Sequence, residues 1–140
     1  MSGISLDSNI LLALLRSEPT APAIGQQLNN LSGKHRLVLS GPAYAELVGF
    51  YPQLDEYLNA AGIKVLAEMP LSAWERAGTV HASYTARRKR SGGGLPRRVL
   101  TDYLIGAHAS AHQLSLFTLN VADYGDFPEV PLLTLASTAQ

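Results

Sequence analysis

Residues 4–15, ISLDSNILLALL, decide the fold of this chain. The apolar run over residues 4–6 ends at Asp7, Ser8 and Asn9, and side chains of this kind are common at helix N-termini. The stretch therefore predicts a β-strand that leads directly into an α-helix over residues 9–16, which Pro19 brings to an end.

The same alternation of strand and helix continues along the chain. Short apolar runs predict further strands over residues 36–40, 63–66, 114–118 and 132–135. Helical patterns lie between them, over residues 21–31, 42–50, 53–61, 71–89 and 97–112. Strands that alternate with helices favour an α/β fold whose parallel sheet is covered on both faces.

Length and composition narrow the class of protein. At 140 residues and 46% hydrophobic content, the chain is expected to form one globular domain over residues 1–140. The absence of cysteine excludes a disulfide scaffold, a thiolate zinc site and a cysteine nucleophile. No targeting segment or membrane span is recognisable, so a soluble cytoplasmic protein is expected.

The charges balance but are segregated along the chain. Eleven basic residues face eleven acidic ones, and six of the basic residues lie close together in sequence. These six form the basic stretch: Arg87, Arg88, Lys89, Arg90, Arg97 and Arg98. A basic stretch interrupted by glycines is predicted to hold the phosphate backbone of RNA. The alternative is a solvated helix end whose cations complement the helix dipole.

Polar side chains follow the predicted strands or begin the helices beside them, and this places several acids at one edge of the sheet. These polar residues, four acids and one amide, are Asp7, Glu46, Asp102, Asn120 and Asp123. Ligand sites of open parallel sheets lie beyond the carboxyl ends of the strands. Carboxylates crowded there repel one another, and Mg²⁺ or Mn²⁺ is the usual cation that offsets the repulsion. Such a cluster suits the hydrolysis of phosphodiester bonds.

Several of these residues have a plainer interpretation. Asp7 before a helix is often only an N-cap, and Asp102 is close enough in sequence to pair with Arg97 or Arg98. Asp123 and Asp126 lie in a stretch rich in turn residues. The histidines lack the spacing of a zinc site, and the apolar and small neighbours of His108 are typical of a packed core residue.

Four segments, taken in order, resemble the PIN-domain family, and most closely its VapC-type ribonuclease toxins. They are LDSNILLALL around Asp7, PAYAEL around Glu46, RRVLTDYLIGAHA around Asp102, and LFTLN ending at Asn120. The resemblance implies a three-layer α/β/α sandwich around a mainly parallel sheet of four to five strands. It also implies metal-dependent cleavage of RNA, with Asp7, Glu46 and Asp102 holding Mg²⁺ or Mn²⁺.

The fourth segment departs from the family pattern. Many relatives carry aspartate where this chain has Asn120, and asparagine offers a carbonyl oxygen without negative charge. Asp123 is the expected substitute, and the change weakens a second metal site more than the first. Ser8 and Thr118 are candidates to hydrogen-bond a carboxylate or the phosphate, although helix capping and strand-end bonding are the alternative roles.

The resemblance also implies partners, namely a cognate antitoxin, an RNA substrate and a second copy of the chain in a homodimer. An antitoxin arginine would pair with the carboxylates, and an apolar groove would receive the rest of its segment. Candidate groove residues are Leu11, Leu12, Leu15, Tyr51 and Leu54. Two alternatives stay open: a binding module with an impaired metal site, and a metal-dependent nuclease acting on structured DNA or RNA.

Overall fold

The computed structural model describes residues 2–92 and 99–135, and a five-stranded sheet lies at its centre. The strands are β1 (Gly3–Leu6), β2 (Arg36–Ser40), β3 (Ile63–Leu66), β4 (Ser115–Phe117) and β5 (Leu132–Leu133). They lie in the order β3-β2-β1-β4-β5, and every pair is parallel. The predicted parallel sheet is confirmed, and its first strand is the central one.

Six α-helices connect and cover the strands. They are α1 (Ser8–Leu15), α2 (Ala21–Ser32), α3 (Gly41–Val48), α4 (Leu54–Ala61), α5 (Leu71–Arg90) and α6 (Leu100–Ala111). All four residues of β1 are buried, as are the last four of β2, so both faces of the central strands are covered. This confirms the three-layer α/β/α sandwich. Within the described residues, no helix is both long and apolar enough to cross a membrane.

Local sequence explains where several helices begin and end. The side chain of Ser40 accepts a hydrogen bond from the backbone N–H of Ala43 at 3.2 Å and so caps the N-terminus of α3. Gly62 ends α4 in the left-handed conformation, with a φ of 72°, which other residues adopt at a cost. These caps bring the chain quickly from one layer to the next.

Some predicted boundaries are wrong. The last helix begins at Leu100 rather than at residue 97, because Val99 is extended, and residues 93–98 lie outside the described part of the chain. The final strand covers only Leu132–Leu133. The loop after β4 contains a 3₁₀ turn over Val121–Tyr124, which the pattern of apolar residues did not predict.

Two histidines, one in α6 and one directly after it, join this helix to the end of β3 and to the loop that follows. The ring Nε2 of His108 donates to the backbone carbonyl of Leu66 at 2.7 Å, and that of His112 donates to the carbonyl of Glu68 at 2.6 Å. His108 is fully buried, and burial lowers its pKa. The interpretation of His108 as a packed core residue is confirmed.

An ion pair fixes the loop before β5 against α5. The guanidinium of Arg76 pairs with Glu129 and lies over the ring of Phe127, with 4.6 Å from Cζ to the ring centroid. Hydrogen bonds from Arg76 and from Ser110 lower the pKa of Glu129 to about 2. This loop is therefore held by α5 and α6 together.

Candidate active site

Asp7 stands at the carboxyl end of β1, beneath the N-terminus of α1. It occupies the N-cap position, but its side chain makes no capping hydrogen bond. Only 3% of its surface is exposed, and its Oδ2 accepts hydrogen bonds from Thr118 Oγ1 at 2.8 Å and from the Tyr124 hydroxyl at 2.7 Å. The capping interpretation is therefore wrong, because the carboxylate is oriented by the loop after β4.

Glu46 lies on α3, the helix that follows β2. Its Oε1 accepts a hydrogen bond from Ser8 Oγ at 2.8 Å, which joins the start of α1 to α3. Ser8 Oγ is 3.5 Å from Asp7 Oδ1, so its single proton serves Glu46. Loss of hydration raises the pKa of Glu46, the bond from Ser8 opposes that rise, and the charge of Asp7 adds to it.

Asp102 lies in the first turn of α6 and is half-buried. Its Oδ2 accepts the backbone N–H of Val99 at 3.3 Å. Burial raises its pKa to about 6, and the charges of Asp123, Asp7 and Glu46 add to that rise. The suggested partners of Asp102, Arg97 and Arg98, lie outside the described residues.

The loop after β4 brings Asn120 and Asp123 to the same edge of the sheet. Asn120 Nδ2 donates to Asp123 Oδ2 at 2.9 Å, and the backbone N–H of Asn120 donates to Thr118 Oγ1 at 3.0 Å. Asp123 sits in the 3₁₀ turn, and its charge reaches Asp102. Asn120, where the resemblance led us to expect an acid, thus supports Asp123 with its amide instead of adding a charge.

The four carboxylates form one cluster, called here the acidic cluster: Asp7, Glu46, Asp102 and Asp123. In residues 2–92 and 99–135, no group of three or more His, Cys, Asp or Glu side chains is arranged closely enough to hold a metal ion. Like charges repel, and each carboxylate accepts a hydrogen bond from the protein instead. The all-oxygen donor chemistry suits a hard divalent cation, and three of these carboxylates would have to move closer together to bind one.

Two residues of the site escaped the sequence-based prediction. The hydroxyl of Tyr124 is buried against Asp7, and Asn9 joins α1 to the loop after β4 through Leu119 N–H at 3.3 Å and Thr118 Oγ1 at 3.4 Å. A tyrosine in a turn-rich segment carries no periodic signal. In the 3₁₀ turn only Tyr124 is buried, and no signal in the sequence indicated that burial.

Tyr124→Phe should weaken the support of Asp7. A hydrogen bond to a charged group contributes about 1.5–3 kcal/mol, so we expect the free energy of unfolding to fall by about that amount. Metal affinity should fall by about tenfold or more, because groups that orient a ligand typically matter that much. Urea unfolding and metal titration measure the two effects. Tyr57→Phe, which removes a hydroxyl outside the cluster, is the control, and equal losses in both variants would contradict the assigned role.

The first four residues of the basic stretch end α5 near the acidic cluster, while Arg97 and Arg98 lie outside the described residues. Arg87 to Arg90 form the last turn of α5, and all but the half-buried Arg88 are exposed. Helices α5 and α6 run antiparallel, since Arg76 bonds Ser110 while Tyr84 packs against Tyr103. The last turn of α5 therefore lies at the end where α6 begins. Cations at this position could complement the dipole of α5 or bind the RNA backbone, so RNA contact stays a prediction.

The predicted apolar groove exists in part. A cavity of about 600 Å³ is lined by Leu15, Tyr51 and Leu54, together with Pro52 and Tyr57. Leu11 is wrong as a groove residue, because it is fully buried in the core. Leu12 is half-buried and packs against the core rather than lining the groove.

A family model matches most of the chain. The family model described as "PIN domain" matches residues 4–122, which span every member of the acidic cluster except Asp123. A comparison with the sequences of characterised proteins finds no match.

Solved structures share the fold. VapBC-1 from nontypeable Haemophilus influenzae aligns with a TM-score of 0.68 at 23% identity, covering 94% of this chain and 97% of that one. VapBC2 from Rickettsia felis, bound to a DNA fragment from its promoter, gives 0.65 at 18% identity over 95% and 98% of the two chains. A toxin–antitoxin complex from Klebsiella pneumoniae gives 0.65 at 21% identity over 96% and 98%.

Proposed function

The chain belongs to the PIN domain family, and from that premise we propose that it is a metal-dependent endoribonuclease toxin of the VapC type. The observation that carries the proposal is the acidic cluster at the carboxyl edge of the sheet, where burial and neighbouring carboxylates raise the pKa of Glu46 and of Asp102. Its similarity to VapBC structures over nearly the whole chain supports the toxin class.

Nucleases of this family generally use divalent metal ions, and the oxygen donors of the acidic cluster suit such an ion in their chemistry. Asp7, Glu46 and Asp102 would hold Mg²⁺ or Mn²⁺, directly or through water. When bound, the cation supplies an activated water and charge for the leaving oxygen. The chain itself orients the ligands, since Thr118 and Tyr124 fix Asp7 while Ser8 fixes Glu46.

Substrate approach follows from charge. The exposed cations Arg87, Lys89 and Arg90 stand at the end of α5 near the start of α6. An RNA backbone would lie along them and place one phosphodiester over the acidic cluster, where the metal offsets the repulsion between phosphate and carboxylates. Asp123, supported by Asn120, is the remaining negative group of the acidic cluster.

The cognate antitoxin would occupy both the acidic cluster and the apolar groove. A cation from it, such as arginine, would neutralise the acidic cluster in place of metal, and apolar side chains would fill the groove of Leu15, Tyr51 and Leu54. The resemblance to the VapC type also leads us to propose that two copies of the chain pair as a homodimer.

Metal removal should stop the reaction. Protein purified free of antitoxin is expected to cut single-stranded RNA with Mg²⁺ or Mn²⁺, to lose that activity in EDTA, and to recover it when the metal is restored. Cut ends mapped by sequencing across total RNA give the measurement. RNA left intact with every metal would instead favour a binding module, and cleavage confined to branched DNA would favour a nuclease of structured nucleic acids.

A further inference from the structure

A second groove opens directly beside the acidic cluster, between α3 and α6. Its volume is about 480 Å³, within the range of small-molecule sites. Residues that line it include Pro42, Ala45, Glu46, Trp74, Thr101 and Leu104. Glu46 belongs to both features, so the groove is continuous with the place where the scissile phosphate would lie.

The most unusual member of this groove is Trp74. It is the only tryptophan of the chain, and 48% of its surface is exposed. Leaving so large an aromatic surface in water is unfavourable, by roughly 25 cal/mol for each Å² of apolar area. A half-exposed indole in a concave groove offers its faces to a flat ligand.

We infer that this groove binds a nucleobase of the RNA, stacked on Trp74, in the nucleotide next to the scissile phosphate. The inference rests on the proposed function. Single-stranded RNA is recognised mainly by stacking its unpaired bases on aromatic side chains, while cations hold its backbone. Here Trp74 would stack on the base and the exposed cations of α5 would hold the backbone. The acidic cluster would lie at the scissile phosphate between them.

The lining of the groove also defines the kind of selectivity. Ala45, Leu104 and Pro42 are apolar, and Thr101 adds one hydroxyl. Few polar groups are available to read the edge of a base, so stacking strength decides the preference. Purines, with the larger ring system, should be favoured over pyrimidines.

Because Trp74 is the only tryptophan, fluorescence excited beyond the absorption band of the six tyrosines reports on this groove alone. The protein is used as Asp102→Asn with Mg²⁺, so that RNA stays intact during binding. Ten-nucleotide oligoadenylate should quench the fluorescence and oligouridylate should quench it less. An oligomer of ten abasic nucleotides should bind through its phosphates without quenching. Equal quenching by all three probes, or none by any, would overturn the inference.

Substitutions of Trp74 give a second test of the base site. Trp74→Ala should weaken binding of labelled oligoadenylate by about tenfold or more and shift the cut sites of otherwise unaltered protein, while Trp74→Phe should retain most of the affinity. Leu71→Ala is the matched control, since Leu71 is 73% exposed on the same helix but does not line the groove. Unchanged binding and unchanged cut sites in Trp74→Ala would refute the base site.

The outcomes separate this inference from the proposed function. Base-dependent quenching without any cleavage would retain the base site and reject the nuclease. Cleavage without base-dependent quenching would do the reverse. If the fluorescence of the protein alone changes with its concentration, and Trp74→Ala dissociates a dimer in sedimentation, the groove is a contact between two copies and the inference is wrong.

Discussion

Asp102→Asn is expected to abolish RNA cleavage and, in metal-free protein, to stabilise the fold. Removing a group that merely orients a metal ligand typically costs 10- to 100-fold, so loss of a ligand should cost at least about a hundredfold in cleavage rate. The amide oxygen can still accept the Val99 N–H, which preserves the first turn of α6. Rates of cleavage with Mg²⁺ give the first measurement.

The stabilisation follows from the pKa of Asp102. Burial and three neighbouring carboxylates raise it to about 6 in the folded state, above the ordinary value of 3.8. The ionised group therefore opposes folding above pH 6, and this penalty is relieved as the pH falls from 6 to 3.8. After allowance for solvent screening, Asp102→Asn should gain about 1 kcal/mol at pH 7 to 8, with the gain disappearing near pH 4.

A matched surface acid provides the control. Glu75→Gln removes one negative charge from an exposed position of α5 and should change neither cleavage nor the pH profile of stability. Urea unfolding of the two variants and the parent between pH 4 and pH 8 makes the comparison. An Asp102→Asn protein that keeps its activity, or that is less stable at every pH, would contradict the role given to this carboxylate.

Gly106→Ala should destabilise the protein by overpacking the core. A Cβ at position 106 would stand 2.6 Å from two ring atoms of Phe127. The ring has little room to move, because it is 1% exposed and is packed against Tyr103 and the guanidinium of Arg76. Overpacking of this kind costs about 1–3 kcal/mol and outweighs the gain of about 1 kcal/mol that alanine brings to a helix.

The displacement of Phe127 should also disturb the acidic cluster. The backbone N–H of Phe127 donates to the carbonyl of Tyr124 at 3.0 Å, so a displaced Phe127 shifts the hydroxyl that orients Asp7. Gly78→Ala is the matched control: no atom lies within 4 Å of a Cβ there, and helix propensity should stabilise the protein by about 1 kcal/mol. Thermal unfolding distinguishes them, and equal melting temperatures would refute the packing argument.

Much of the architecture was predictable because its signals are local. Apolar runs, capping residues and glycine stops act over a few residues, and they identified the five strands and the helices between them. The order of Asp7, Glu46 and Asp102 along the chain could be recognised for the same reason, since each acid sits inside a short segment typical of the family. The departure at Asn120 was also visible in the sequence.

The tertiary structure alone decided how these segments meet. The order of strands in the sheet, the burial of Leu11 in the core and the contact of Tyr124 with Asp7 across 117 positions of sequence carry no local signal. The carboxylate of Asp7 could equally have capped α1, and its use elsewhere depends on two hydroxyls supplied by the loop after β4. Hydrogen bonds of this kind form only after packing has brought distant segments together, so the sequence determined the elements and the acids, while packing determined which groups orient them.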